Sequence, residues 1–216
     1  MKNSILITLI IFWQILFFDK ILAKEIEFNA SDIEISDNQN LTIANNGTAI
    51  VREEEIILEG SKMKYFKDKS FIFVNEGKVF KSDINLQINS NTIEYYIDDR
   101  TINFIDKVKI NDTTNNLIIY SDRINYDIDS GIVFGDGNTK IIDEFENTYE
   151  LDEFEYSTKK KVIKLKNIKI VDKSDNTFDL EVAFLDLNKK EIIAKDIGLN
   201  FKISVNSENE PRLKGR

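Results

Sequence analysis

The chain has 216 residues, of which 42% are apolar, so it is long enough for one domain with a substantial core. Its formal net charge of −9 argues against nucleic-acid binding, which needs Lys and Arg to neutralise phosphates, and against electrostatic docking on an anionic membrane. There is no cysteine and no histidine, which excludes disulfides, Ser-His-Asp and Cys-His catalysis and the commonest zinc ligand.

The N-terminus predicts a signal peptide over residues 1–23. Lys2 gives a positive start, an apolar run extends from Ile5 to Phe18, and Ala23 offers a small residue at the cleavage point. The run is shorter than the roughly twenty apolar residues of a membrane-spanning helix, and no cysteine follows it for a lipid anchor. An uncleaved N-terminal anchor is the alternative.

From residue 24 the chain shows a six-fold repeat of about thirty residues, visible as two columns of apolar positions two residues apart. Residues two apart lie on the same face of a strand, so the columns predict strands with one buried face, and repeats of this length must stack to bury it. A third column follows about fifteen residues after the first. The first column is Ile35, Tyr65, Tyr95, Tyr126, Tyr156 and Leu185; the second is Ile33, Met63, Ile93, Ile124, Phe154 and Ala183; the third is Ile50, Phe80, Ile110, Ile141 and Val171.

Two sets of turn signals separate these strands. One set follows the first column, near Asp68, Asp99 and Ser130, and the polar residues there are typical of tight hairpin turns. The other set is predicted at Asn46-Gly47, Glu76-Gly77, Asp106-Lys107, Asp136-Gly137 and Lys166-Asn167. The chain therefore predicts an all-β, antiparallel jellyroll or solenoid-like array of two-strand repeats, with about a dozen or more strands and no helix after residue 24.

No Pro/Gly/Ser-rich linker divides the repeats, so residues 24–205 are expected to form one domain. The last residues, 206–216, are polar, include the only proline, Pro211, and end in basic residues. They are interpreted as a connector leaving the β-structure.

The repeat resembles the OstA-like N-terminal domain shared by the lipopolysaccharide-transport proteins LptA, LptC and LptD. The resemblance rests on Gly60 to Tyr65 followed by Phe71 to Val74, on Ser121 to Tyr126 followed by Ile132 to Phe134, and on Asn46 to Val51. It covers Lys24 to about Phe201, nearly all of the chain after the predicted signal peptide.

The segment from Asn209 to Arg216 is similar to the junction at which LptD-type proteins pass from their periplasmic domain into an outer-membrane barrel. The LptD N-terminal domain is therefore the specific family member that the resemblance favours. The chain departs from that pattern in two ways, since neither the barrel nor the cysteines that bridge it to the domain are present in these 216 residues.

The resemblance implies a non-enzymatic periplasmic module, at the periplasmic face of the outer membrane, that binds the acyl chains of lipopolysaccharide in an apolar groove and passes them on. The residues expected to line that groove are Ile33, Ile35, Met63, Tyr65, Ile93, Tyr95, Ile124, Tyr126, Phe154 and Tyr156. Their tyrosines suit a wall with an apolar body and a polar rim. The same residues also suit a plain packed core, so both interpretations stay open.

Two other functions remain as alternatives: a ligand-free structural β-solenoid or adhesin-like array, and an LptA- or LptC-type bridge component. No clustered carboxylates predict a glycan-cleaving enzyme, and no cofactor or metal site is expected. The implied partners are lipopolysaccharide, an LptA-like jellyroll, and an outer-membrane barrel with its lipoprotein plug, with no role for nucleic acid.

An open sheet leaves unpaired N–H and C=O groups at its two edge strands, expected around Glu27 to Ile35 and around Ile197 to Val205. Neither contains proline, which would block strand addition. By resemblance, the N-terminal edge is expected to receive the jellyroll partner.

Overall fold

The computed structural model describes residues 26–36, 38–172, 176–196, 199–204 and 214–215, so the predicted signal peptide and most of the predicted connector lie outside the described residues. Strands fill most of the described length, and none of its helical turns is long and apolar enough to cross a membrane. The strands are β1 (Ile26–Ser36), β2 (Leu41–Val51), β3 (Ile56–Phe66), β4 (Phe71–Lys81), β5 (Leu86–Tyr96), β6 (Thr101–Asp112), β7 (Leu117–Asp127), β8 (Ile132–Ile142), β9 (Thr148–Ser157), β10 (Val162–Val171), β11 (Thr177–Asp186), β12 (Glu191–Asp196), β13 (Leu199–Ser204) and β14 (Lys214–Gly215).

These strands form a single antiparallel sheet in which each strand pairs with its neighbours in sequence. Strands of eleven residues joined by four-residue turns produce the fifteen-residue half-period, as in β3 and β4. The all-β fold is therefore confirmed. Within the described residues, β1 pairs only with β2, so it forms the N-terminal edge that the sequence predicts. The predicted C-terminal edge is wrong, because β13 pairs with β12 on one side and with the short β14 on the other.

The first set of predicted turns is confirmed. Residues 67–70, 97–100 and 128–131 each connect two strands at the expected places. The prediction of no helix is wrong in detail, because single 3-10 turns occur at Arg52–Glu54, Lys67–Lys69 and Ser82–Ile84. Each ends on a residue in the left-handed region, which lets the chain reverse within four residues.

The second set of predicted turns is wrong: these dipeptides lie in the middle of β2, β4, β6, β8 and β10. The same residue types favour a positive φ, and here it bends a strand instead of ending it. Positive φ values occur at Asn46, Glu76, Asp106, Lys107, Gly137, Asn138 and Asn167. The actual second turns lie at residues 52–55, 82–85, 113–116 and 143–147.

The mid-strand bend shifts the phase of the inward-facing side chains. In β2, Ala44 and Ala49 are both fully buried although they are five residues apart, so both halves of the strand face the same interior. The shift differs between strands, because β6 has twelve residues and a register irregularity. This is why the third apolar column mixes two faces: Ile110 and Ile141 are buried, whereas Ile50 and Phe80 are half-buried on the outer face.

The sheet is thus folded along the bends into two walls that enclose an apolar interior. Strand register places the first two columns in two adjacent rows across the sheet. In one row, Tyr65, Ile72 and Tyr95 are successive partners, and in the other Met63, Val74 and Ile93 are. The repeat seen in the sequence is therefore a row of neighbours in the structure.

Candidate functional site: the apolar interior and its mouth

Seven of the ten predicted lining residues are buried in the interior: Met63, Ile93, Tyr95, Ile124, Tyr126, Phe154 and Tyr156. The intervening Lys64 and Glu94 are half-buried, and Asn125 and Glu155 are exposed, on the opposite face. The predicted alternation is therefore confirmed for these strands. Whether the residues line a lipid groove remains a prediction.

The first repeat differs from this pattern. Ile33 and Ile35 lie in the same two rows, opposite Ala44 and Thr42, but they are 43% and 63% exposed. Tyr65 is half-buried, with its ring 6.0 Å from that of Phe28. Among the described residues β1 has a pairing strand on one side only, and the apolar interior is accessible to solvent at this edge.

In the central strands the interior is filled by side chains. Tyr95, Phe104, Phe154 and Tyr156 are each at most 1% exposed. Gly135 is needed for this packing, because a Cβ there would lie 2.1 Å from the Phe154 ring. An acyl chain could enter the interior between these central strands only if the two walls separated.

The two walls meet along a mouth formed by the turns. We call the turns at 67–70, 97–100, 128–131, 158–161 and 187–190 the tyrosine rim, because the column tyrosines lie next to four of them. The turns at 52–55, 82–85, 113–116 and 143–147 form the opposite acidic rim.

Hydrogen bonds from tyrosine hydroxyls join the two rims. The Tyr95 hydroxyl donates to the buried carboxylate of Glu54, and the Tyr156 hydroxyl donates to Asp112 Oδ2 at 2.5 Å. Asn115 Nδ2 in turn donates to the Tyr156 hydroxyl at 3.1 Å. The partners are more than forty residues apart, so each bond spans about three strands.

Ion pairs strengthen the same contact. Arg100 lies 3.1 Å from the buried Glu54 carboxylate across the mouth and 2.6 Å from Asp129 in the next turn of its own rim. Farther along, Lys190 Nζ lies 2.9 Å from Glu144 Oε1. The buried Glu54 charge is thus paired, as a buried carboxylate must be to avoid a large desolvation cost.

Tyr126 lies between the two tyrosine bonds. It lines a mouth cavity of about 480 Å³ together with residues such as Lys81, Asp83 and Arg100. Burial, followed by the nearby charges of Asp83 and Asp127, raises the pKa of Tyr126 to about 12. Burial and the hydrogen bond to Asp112 also raise the pKa of Tyr156. Both phenols therefore stay protonated at physiological pH.

Sequence reasoning identified the tyrosines but missed their acidic partners. Glu54, Asp83, Asp112 and Asp143 are spaced 29, 29 and 31 residues apart, so they form a column of their own that the repeat could have revealed. Asp143 differs in role, because its Oδ2 accepts a 2.6 Å bond from Tyr149 on the same rim.

In the described part of the chain, no group of three or more carboxylates is arranged to hold a metal ion.

Comparison with solved structures found a match to LptH from Pseudomonas aeruginosa, described as the LptA-homologous periplasmic component of the lipopolysaccharide transport device. The two share 15% identity with a TM-score of 0.28, over 65% of this chain and 80% of that chain. A search of curated proteins found no significant match.

A sequence model of LptC-related lipopolysaccharide-assembly proteins matches residues 4–173, which is well over half of the chain. The match supports a bridge-type transport component and does not single out the LptD domain. Proteins of this type are not enzymes. The chain belongs to the LptC-related family of lipopolysaccharide-assembly proteins.

Proposed function

We propose that this chain is a periplasmic bridge component that binds the acyl chains of lipopolysaccharide in the interior of its folded sheet and passes them along the repeats. The observation that carries this proposal is the pair of apolar rows that cross the sheet and become accessible at the β1 edge, at Ile33 and Ile35. The ten predicted lining residues belong to these rows. Removing an acyl chain from water contributes about 0.8 kcal/mol per CH₂ group, so a few buried methylenes suffice for useful affinity.

The β1 edge also supports the proposed partner, a second jellyroll of the LptA type. Its outer backbone groups, which have no strand partner among the described residues, could continue the sheet, and its exposed isoleucines could continue the apolar interior. Docking at this edge would let a lipid pass between the two proteins without entering water. The proposed location is the periplasm, after export directed by residues 1–23.

A ligand-free structural array is the second candidate, and the filled interior of the central strands favours it. This candidate explains the packing of Phe154 on Gly135 but gives no role to the exposed Ile33 and Ile35.

The finer assignment, an LptD N-terminal domain, rests on the resemblance of Asn209 to Arg216 alone. If this assignment is correct, affinity capture of the chain from envelope membranes should also recover an outer-membrane barrel and its lipoprotein plug.

Replacing Ile35 with Asp tests the lipid-binding proposal. Ile35 is 63% exposed at the open end of the interior, and a carboxylate there should oppose entry of an acyl chain. We expect the affinity for lipopolysaccharide to fall by about tenfold or more, since burial of an Ile side chain is worth roughly 1.5–3 kcal/mol. The measurement is native mass spectrometry of protein titrated with lipopolysaccharide in mild detergent.

Phe134→Asp is the matched control, because Phe134 is 40% exposed on the outer face. It should retain the wild-type fraction of lipid adduct. If wild-type protein carries no lipid, or if both variants lose it equally, the ligand-free array is the better account.

A further inference from the structure

The mouth contains a repeated polar contact that the proposed function does not use. Tyr95 with Glu54 and Tyr156 with Asp112 have the same construction: the ring belongs to the apolar interior and the hydroxyl reaches a buried carboxylate on the opposite rim. We call these two pairs the mouth clasps.

The clasps are side-chain contacts between strand ends and turns on opposite rims, whereas the sheet itself is held by backbone pairing between neighbouring strands. Separating the rims therefore breaks the clasps and the nearby ion pairs but leaves the strand ladder intact. The two ion pairs that join the rims each include a solvent-accessible partner, Arg100 or Lys190, so water can replace the partner when a pair separates.

The strands also contain a place at which the walls could hinge. The left-handed residues in the middle of the even-numbered strands interrupt regular pleating, as at Asp106-Lys107 and Gly137-Asn138. Hinges are commonly a few residues that absorb a change in backbone angles. The two walls could therefore rotate about the mid-strand bends, and the polar contacts at the mouth would hold them together in the closed state.

The offset of about three strands explains where the mouth is open. A clasp partner for Tyr65 would lie some forty residues earlier, before β1 begins. Among the described residues, Tyr65 makes no such bond and is half-buried, whereas Tyr95 and Tyr156 are at most 1% exposed. The clasps thus begin where the interior becomes closed.

We propose that the mouth clasps are reversible latches that hold the walls together over the central repeats and set the rate at which an apolar ligand enters there. The proposal rests on the proposed function for the ligand's identity, but the latch itself is a property of the chain. The ligands that the latch would control are extended apolar molecules that enter the interior at the β1 edge.

The test is the double variant Tyr95→Phe/Tyr156→Phe, which keeps both rings and removes both hydroxyls. Glu54 remains paired with Arg100, and Asp112 still accepts from the backbone and side chain of Asn115, so neither carboxylate is left alone. Because the chain has no cysteine, spin labels can be placed on opposite rims through Glu53→Cys and Asp99→Cys, both at exposed positions. The two readouts are the distance distribution between the labels and the rate of uptake of the neutral dye N-phenyl-1-naphthylamine.

We expect a narrow distance distribution for wild-type protein, a broader and longer one for the double variant, and dye uptake that is about tenfold faster. Tyr149→Phe is the matched control, because it removes a buried tyrosine–aspartate hydrogen bond that stays on one rim. It should leave both readouts unchanged.

An unchanged distance distribution in the double variant, a wider mouth without faster uptake, or an equal change in Tyr149→Phe would each overturn the latch. None of these outcomes depends on lipopolysaccharide binding. Failure of the latch and failure of the proposed function are therefore distinguishable.

Discussion

At the scale of single residues, each clasp tyrosine packs its ring in the apolar interior and donates a hydrogen bond from its hydroxyl across the mouth. The sequence predicts the first role better than the second. Their rings were predictable as interior residues, because alternation places them on the buried face. Their polar ends were predictable only as belonging to a rim. The repeat could have revealed the carboxylate column that includes Glu54 and Asp112. It could not show which tyrosine each carboxylate pairs with, because the offset between rims depends on how the sheet folds and twists.

Tyr126 gives this scale a testable pH dependence. Its pKa is near 10 in the unfolded chain and about 12 in the folded protein. Below pH 10 both states keep the proton; between pH 10 and 12 the unfolded chain releases it first, so the free energy of unfolding falls as the pH rises. Between pH 9 and pH 11.5 this group should contribute a loss of about 2 kcal/mol, which Tyr126→Phe should lack.

The measurement is urea unfolding of both proteins at pH 9 and pH 11.5, compared as a difference so that other titrating groups cancel. Tyr120→Phe, at an exposed tyrosine of the outer face, should retain the wild-type pH dependence. Equal alkaline losses in wild type and Tyr126→Phe would show that Tyr126 does not keep its proton in the folded protein.

At the scale of strands, the sequence predicted half of the turns correctly and placed the other half in mid-strand. Asn-Gly and Asp-Gly pairs favour positive φ, which serves a tight turn and a strand bend equally well. Asn46 and Gly47 therefore gave no local sign that β2 continues through them to Val51. The fifteen-residue spacing could have distinguished a turn from a strand bend. If each turn takes four residues, eleven residues remain for each strand, and Asn46 and Gly47 then fall in mid-strand.

The edge strand β1 carries the prediction that belongs to this scale. Successive residues of an edge strand point their N–H groups to opposite sides of the strand. Glu34→Pro and Ile35→Pro therefore form a matched pair: one removes an N–H that faces β2, and the other removes an N–H at the free edge. We expect the variant that keeps the wild-type melting temperature to lose capture of the jellyroll partner. Affinity capture from envelope extracts and thermal unfolding provide the two measurements.

Partner capture that survives in that stable variant would argue against docking at β1. A crosslinker at Glu27 that finds no jellyroll protein, while one at Val205 does, would reverse the proposed polarity of the bridge.

At the scale of the whole molecule, the thirty-residue repeat predicted an open antiparallel sheet because columns in the sequence become rows across neighbouring strands. It could not predict that the rows are open at Ile33 and Ile35 and closed at Tyr95 and Phe154. The open end lies at the edge strand β1, and the closed centre lies where side-chain contacts join rims three strands apart. This difference divides the interior into an accessible N-terminal end and a latched centre.

The most direct test of the lipid-carrier account is site-specific photocrosslinking in cells. p-Benzoylphenylalanine is placed at Ile35 or Tyr65, on the interior face, and at Phe134 as the outer-face control. After irradiation, adducts are detected with an antibody against lipopolysaccharide. We predict lipopolysaccharide adducts at the two interior positions and none at Phe134; adducts of equal yield at Phe134, or none at either interior position, would contradict the account.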